Sequence, residues 1–334
     1  MTRALARTLQ SILLTAPLAV GCGDVRPLAQ SPAASRPPQR IVSMAPSVTE
    51  VLFALGLGQA VVGVTRFCDY PPEARERAQV GGYLDPNYEA VVALAPDLVV
   101  LIQDQDEIRQ RLTTLGLASL QVDQHDVEGV LGSIVAIADR CGVRERGTSL
   151  AEEIRDQLRR VGEIARDRTR PRVLIVVERE LGSGSVTSLW AAGPSTFYDD
   201  LVRLAGGRNV VVEAVADYPE LSREALSHLD PDVILDVIPD MATRDLDAAV
   251  VAADWQALSE VRAVREGRVH LLADELMVIP GPRIGLAVEQ VARALFPEMA
   301  IQAGGLPPTP AATGAGAGSQ LSPGARPAPG EVAP

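Results

Sequence analysis

Between residues 40 and 297, short apolar runs alternate with amphipathic helical stretches. Ile41-Val42-Ser43 reads as a strand, and Ser47-Val48-Thr49-Glu50 opens a helix that stops at Gly56. Val61 to Val64, Leu98 to Ile102 and Leu120 to Val122 read as further strands, with helices between and after them. Such alternation predicts an α/β fold, with strands brought parallel by right-handed crossovers. From about Arg144 to Arg168 the pattern turns long, polar and helix-favouring, and a second alternating series begins at Arg172-Val173-Leu174-Ile175-Val176-Val177. The expectation is two doubly wound lobes with mostly parallel sheets, residues 40–143 and 171–302, joined by a backbone helix over 144–170. A ligand cleft is expected between the lobes, because doubly wound sheets bind ligands beyond the carboxyl ends of their strands.

An internal repeat supports two related lobes. Glu89-Ala90-Val91-Val92-Ala93-Leu94-Ala95-Pro96-Asp97-Leu98-Val99-Val100 aligns without gaps on Glu224-Ala225-Leu226-Ser227-His228-Leu229-Asp230-Pro231-Asp232-Val233-Ile234-Leu235. A helix, a Pro-Asp turn and a strand recur in many α/β proteins. Here a tyrosine also stands six residues before each glutamate, Tyr83 in one copy and Tyr218 in the other.

Aromatic residues sharpen the picture because they are scarce, at 3% of the chain. Phe67 lies in Thr65-Arg66-Phe67-Cys68-Asp69-Tyr70-Pro71-Pro72, directly after a strand that the prolines end. Tyr83 falls in the loop Gly81 to Pro86, Trp190 in a loop after the Arg172 to Val177 strand, and Tyr218 in Ala216-Asp217-Tyr218-Pro219. Two rings per lobe on loops that share one cleft suit a flat conjugated ligand, which they can stack upon with little loss of rotamer freedom. A single such ring would be read as packing beneath its own loop.

The ends of the chain read differently. Arg3 and Arg7 precede a short apolar stretch, Leu9 to Val20, and then Gly21-Cys22. Residues 1–22 read as a signal peptide whose small residues before Cys22 match a lipobox, so Cys22 is the expected lipidation site. The alternative is an ordinary cleaved leader with an incidental cysteine. Residues 23–39 read as a disordered tether and 303–334 as a disordered tail, both rich in Pro and Ala and without apolar period. The remaining cysteines, Cys68 and Cys141, are expected either to pair or to stay as two buried thiols.

These residues resemble a known family: the periplasmic substrate-binding proteins of cobalamin and iron-siderophore ABC importers, and within it the cobalamin-binding members. The resemblance covers about residues 40–297. It rests on Arg40 to Glu50 (RIVSMAPSVTE), Val62-Gly63-Val64, Asp69-Tyr70-Pro71-Pro72, Leu94 to Val99, Ala205-Gly206-Gly207-Arg208-Asn209, Ser222-Arg223-Glu224 and Pro282-Arg283-Ile284. It implies a non-enzymatic protein that carries a corrinoid such as cobalamin between its lobes, as transported ligand rather than cofactor. It implies Phe67, Tyr83, Trp190, Tyr218 and Arg283 as ligand-binding residues. It further implies an ABC permease dimer with its ATPase subunits as partner, docked through Glu89 and Glu224, at a membrane to which lipid on Cys22 tethers the protein in the periplasm or its extracytoplasmic equivalent. Tyrosines stand at 83 and 218 where the cobalamin-binding members have tryptophan, and Trp190 where they have phenylalanine. The loop from Asp274 to Pro282 is one residue longer and apolar there.

Other classes fit less well. The chain is acidic, with formal charge −12 and every one of its 31 basic residues an arginine, and it has no basic run to grip nucleic acid. Gly56 to Gly63 misses the dinucleotide spacing, and Gly182-Ser183-Gly184-Ser185 is no nucleophile elbow. Clustered metal ligands are not evident. Of three histidines, His228 reads as helical and His270 as strand, leaving His125 as a cleft-facing candidate ligand to a bound cobalt or iron. The rival ligand is a ferric siderophore or haem, for which Arg66, Arg179 and Arg283 are candidate partners of an anionic chelate.

Overall fold

A computed structural model describes residues 36–298, apart from 214, 215, 242, 243 and 245. The expected leader, most of the tether, Cys22 and the tail lie outside the described residues. The first lobe contains β1 (Ile41–Ser43), β2 (Val61–Val64), β3 (Ala78–Gln79), β4 (Leu98–Ile102) and β5 (Ser119–Val122). They form one wholly parallel sheet in the order β3-β2-β1-β4-β5. Its helices are α1 (Pro46–Ala54), α2 (Tyr88–Ala93), α3 (Asp106–Thr114) and α4 (Val127–Arg140). β1 and β4 are buried throughout, which explains why they read as unbroken apolar runs rather than alternating ones.

Helix α5 (Arg144–Ala165) links the lobes. It is five residues shorter than the segment expected to be helical, and the chain leaves it through i→i−3 bonds, Arg166 N–H to Glu163 O and Arg168 N–H to Ala165 O. One face carries Gly147, Ala151, Ile154, Leu158, Val161 and Ala165, all buried, at helical spacing. Gly147 lets α5 lie against Ala138 of α4, and Gly285 lets α10 (Ile284–Leu295) lie against Gln157, since a Cβ at either glycine would overlap its neighbour. A single hydrophobic cluster therefore runs from the first lobe through α4, α5 and α10 into the second.

The second lobe holds β6 (Arg172–Arg179), β7 (Ser188–Ala191), β8 (Arg208–Asn209), β9 (Glu220–Ser222), β10 (Val233–Val237) and β11 (Val269–Leu272). Its helices are α6 (Phe197–Leu204), α7 (Arg223–Leu229), α8 (Ala248–Ala253) and α9 (Arg262–Arg265), with α10 completing the lobe. Strands run in the order β11-β10-β6-β7-β9, with β8 beside the start of β6. β10 pairs parallel with β6 and β11, but β7 and β9 are antiparallel, so this sheet is mixed. The outer half of β6 extends to Arg179 and turns back through Gly182 and Gly184, both in the left-handed region, to form β7.

The repeat persists in the bonding. Asn87 caps α2 by accepting from Ala90 N–H, and Ser222 caps α7 by accepting from Ala225 N–H. Both helices end at left-handed residues, Ala95 and Asp230. Arg40 donates to Leu94 O and Ala95 O, and Arg172 donates to Leu229 O and Asp230 O. Asp97 accepts from Arg40 N–H as Asp232 accepts from Arg172 N–H. The strand registers match as well: Ile41 lies beside Leu98, and Val173 beside Val233.

Candidate functional site

At the carboxyl ends of β1, β3 and β5, three loops of the first lobe face the second. Gln105 fixes two of them: it is buried, its side-chain amide donates to Met44 O (3.1 Å) and Tyr83 O (2.7 Å), and its carbonyl accepts from Ile102 N–H. The Tyr83 loop is also tied to the Phe67 loop, by Arg66 N–H to Gly81 O and by the Arg66–Asp85 ion pair at 2.9 Å. Gly81 has φ +93°, and a Cβ at Gly82 would meet both Asp85 and Arg66, so this tight turn needs its two glycines. The Arg66 guanidinium lies 4.9 Å from the Phe67 ring. Gln124, buried between Ser47 and Ser133, holds the third loop, which presents His125.

In the second lobe, Gly193 N–H donates to Asp217 O and Ala191 N–H to Pro219 O, seating the Tyr218 loop on the end of β7. Thr196 caps α6, whose first two residues are Phe197 and Tyr198. Tyr198 meets Phe197 edge-on at 5.6 Å and Tyr218 edge-on at 6.4 Å. Burial drives the phenol of Tyr198 well above its ordinary range, and it raises those of Tyr83 and Tyr218 too; Asp104 adds to the rise at both of the latter.

Together these loops enclose a cavity of about 530 Å³. Phe67, Tyr83, Phe197, Tyr198 and Tyr218 supply rings from both lobes, and Val278, Ile279 and Pro280 close one side with an apolar edge. Three of the four expected rings thus share one cavity. Trp190 does not line it and does not sit on a loop: it is on β7, beside a smaller adjoining hollow with Tyr198 and Tyr218. Tyr198 was missed. The signal was present, since Phe197-Tyr198 is an adjacent aromatic pair in a ring-poor chain, separated from Gly193-Pro194 by two residues.

The arginines are arranged differently from expectation. Arg179 is buried, bonded to Asp236 and Asp254 at 2.8 Å each, and stacked 5.3 Å from Trp255. It is structural and cannot reach a ligand. Burial pushes Asp254 upward, yet Arg179 and the N–H groups of Gly182 and Gly184 outweigh that and hold its carboxyl below the usual range. Arg283 reaches across to the first lobe, paired through two nitrogens with buried Glu50 (2.5 and 2.8 Å) and lying 4.1 Å from the Tyr70 ring. Burial raises the Glu50 carboxyl despite this partner. Among the described residues no arginine lines the cavity.

His125 lines the cavity, its Nε2 4.0 Å from Asp217 of the opposite lobe. Glu89 and Glu224 are exposed, each at the second position of its helix. The Glu224 carboxyl is lowered by its own backbone N–H and the Ser222 hydroxyl. Cys68 and Cys141 are buried and unpaired, and burial raises both thiols, Cys141 to about 11. Among the described residues no helix is long and apolar enough to cross a membrane, and no three metal-ligating side chains cluster.

The two lobes thus present rings to one shared cleft. The sequence profile of periplasmic binding proteins matches residues 41–276. The chain belongs to the periplasmic binding protein family. It is a non-enzymatic substrate-binding protein of the kind that serves ABC importers. It is 29% identical to an uncharacterised ABC transporter substrate-binding lipoprotein of Bacillus subtilis, over 78% of this chain and 81% of the relative. It is 31% identical to a cobalamin-binding protein of Halobacterium salinarum, over 77% of this chain and 68% of the relative. A solved periplasmic haem-binding protein of Pseudomonas aeruginosa superposes with TM-score 0.67 at 27% identity, covering 78% of this chain and 93% of that one.

Proposed function

We propose that the protein captures a corrinoid between its lobes and hands it to the permease of an ABC importer. The observation that supports this best is a cleft walled by aromatic rings from which the nearby arginines are withheld in ion pairs. Haem carries two carboxylates, and many ferric chelates are anionic, so both favour a site with an available cation. A corrinoid edge is fringed with uncharged amides and makes no such demand. Two of the wall rings, Phe67 at 52% and Tyr218 at 40%, remain substantially exposed and so can be covered by a ligand. The Halobacterium relative named as cobalamin-binding fits this reading.

Haem is the second reading, favoured by the imidazole of His125 at the cavity wall and by the haem-binding structural neighbour. Titrating the purified protein with cyanocobalamin, haemin and a ferric hydroxamate separates the two. Saturable one-to-one binding of cyanocobalamin supports the proposal, and binding of haemin alone rejects it.

Delivery rests on Glu89 and Glu224. A permease with two-fold symmetry offers two equivalent cationic patches, and carboxylates at matching helical positions of the two lobes can meet both. Glu89→Arg with Glu224→Arg is expected to leave ligand affinity unchanged and to abolish uptake into vesicles holding the cognate permease. Lipid on Cys22 keeps the carrier at that membrane surface on its extracytoplasmic side; Cys22→Ala is expected to move the protein to the soluble fraction.

A further inference from the structure

The cavity's own charges have no counterpart in the reading above. Asp104, after β4 in the first lobe, and Asp217, beside Tyr218 in the second, both line it. Among the described residues Asp104 has no side-chain hydrogen bond or ion pair, and the Asp217 carboxylate has only His125, at 4.0 Å. Asp104 acts on the phenols of both Tyr83 and Tyr218, so its charge is felt at both walls. Arg179 and Arg283 are closed on buried carboxylates, and Arg66 is paired with Asp85 and does not line the cavity. An occupant therefore meets one carboxylate from each lobe across a ring-walled gap, with at most one histidine in compensation.

We infer that the cleft selects among corrinoids by charge, taking cationic corrinoids in preference to uncharged ones. This rests on the corrinoid reading. The charge follows from composition: trivalent cobalt within a monoanionic ring is left with two positive charges, which axial cyanide and the nucleotide-loop phosphate each reduce by one. Cyanocobalamin is therefore uncharged. Exchanging its cyanide for water, or removing the nucleotide loop and its phosphate, leaves one positive charge. Both carboxylates attract that charge, and because both side chains are exposed to solvent the attraction is strongest at low salt and is screened as salt rises.

The test is calorimetric titration at neutral pH with cyanocobalamin, aquocobalamin and aquocyanocobinamide, on the wild type and on Asp104→Asn with Asp217→Asn. The wild type is expected to bind both cationic probes about tenfold more tightly at low salt. The double variant is expected to bring all three within about twofold. Raising salt to about 0.5 M should narrow the wild-type preference too, a measurement that does not depend on the variant folding. Equal wild-type affinities for the three probes overturn the inference and leave the corrinoid reading standing. A preference that survives in the double asparagine variant but vanishes in His125→Ala also overturns it, since imidazole coordination of cobalt then accounts for the difference. Binding of haemin or a ferric chelate with no corrinoid bound overturns inference and reading together.

Discussion

Arg40 and Arg172 hold the ends of α2 and α7 in the same way, and Asp97 and Asp232 receive the same backbone N–H groups, yet the sheets around them are built differently. In the first lobe β1 stops at Ser43 and the chain turns straight into α1 at the cleft, flanked by parallel β2. In the second, β6 runs on to Arg179 and folds back as antiparallel β7, and the cleft-side helix is delayed to Phe197. The extension brings its own core: Arg179 enclosed by Asp236, Asp254 and Trp255. The shared wiring sets where the two cleft loops emerge, so Tyr83 and Tyr218 face one cavity. The divergent part decides what else reaches it, which is Tyr198 from the second lobe and the Gln124-held loop with His125 from the first.

The largest effect should come from the part without a counterpart. Asp254→Ala leaves the buried Arg179 guanidinium with one of its two carboxylates and is expected to cost about 3–5 kcal/mol in chemical denaturation. Both tryptophans lie in the second lobe, so fluorescence reports its loss directly. A cost below about 1 kcal/mol would mean the extension is dispensable. The same carboxylate predicts a pH dependence. Its folded value is depressed, so its contribution is fully present above about pH 4–5 and is lost as pH falls through the folded value. Acid unfolding curves of Asp254→Asn are expected to lack that share of the loss.

Next is an ion pair that joins the lobes. Glu50→Ala strands Arg283, whose side chain keeps only 15% of its exposure. A loss of about 2–4 kcal/mol is expected, smaller than at Arg179 because some water still reaches this guanidinium. Thermal or urea unfolding measures it.

The rings come third. Tyr83→Ala and Tyr218→Ala should each weaken ligand binding at least tenfold, about 1.4–2 kcal/mol, by calorimetry. Equal losses would show a clamp using both lobes alike. Trp190→Ala should cost less than either, because Trp190 stands outside the main cavity.

Smallest, and the most direct check on the repeat, are Asp97→Ala and Asp232→Ala. Each removes one bonded carboxylate from the same junction, and each should cost about 1 kcal/mol by chemical denaturation. Asp97 is exposed and Asp232 is not, so any imbalance should fall on Asp232.

β1, β4, β6 and β10 were legible because buried parallel strands write their burial into consecutive apolar residues. The aligned segments at 89–100 and 224–235 were legible because caps and turns are local, each made by residues within a few positions of one another. β7 was not legible: Ser188-Leu189-Trp190-Ala191 is short and follows a Gly/Ser-rich turn, and only pairing with β6 and β9 makes it a strand. Tyr83 and Tyr218 were found through the repeat, but Tyr198, outside it, was not.

The sequence by itself determined the two-lobed α/β plan, the long helix between the lobes, the equivalence of their central β-α-β units and three of the rings that line the cleft. Only the tertiary structure decided the charge of the site. Arg179 finds Asp236 57 residues away, and Arg283 finds Glu50 233 residues away, so no local pattern shows that these cations are already paired. Asp104 and Asp217 likewise face a common space only once the lobes are in place. Electrostatics depends on distance in space rather than along the chain, which is why three of the cleft's rings could be named from the sequence while its sign could not.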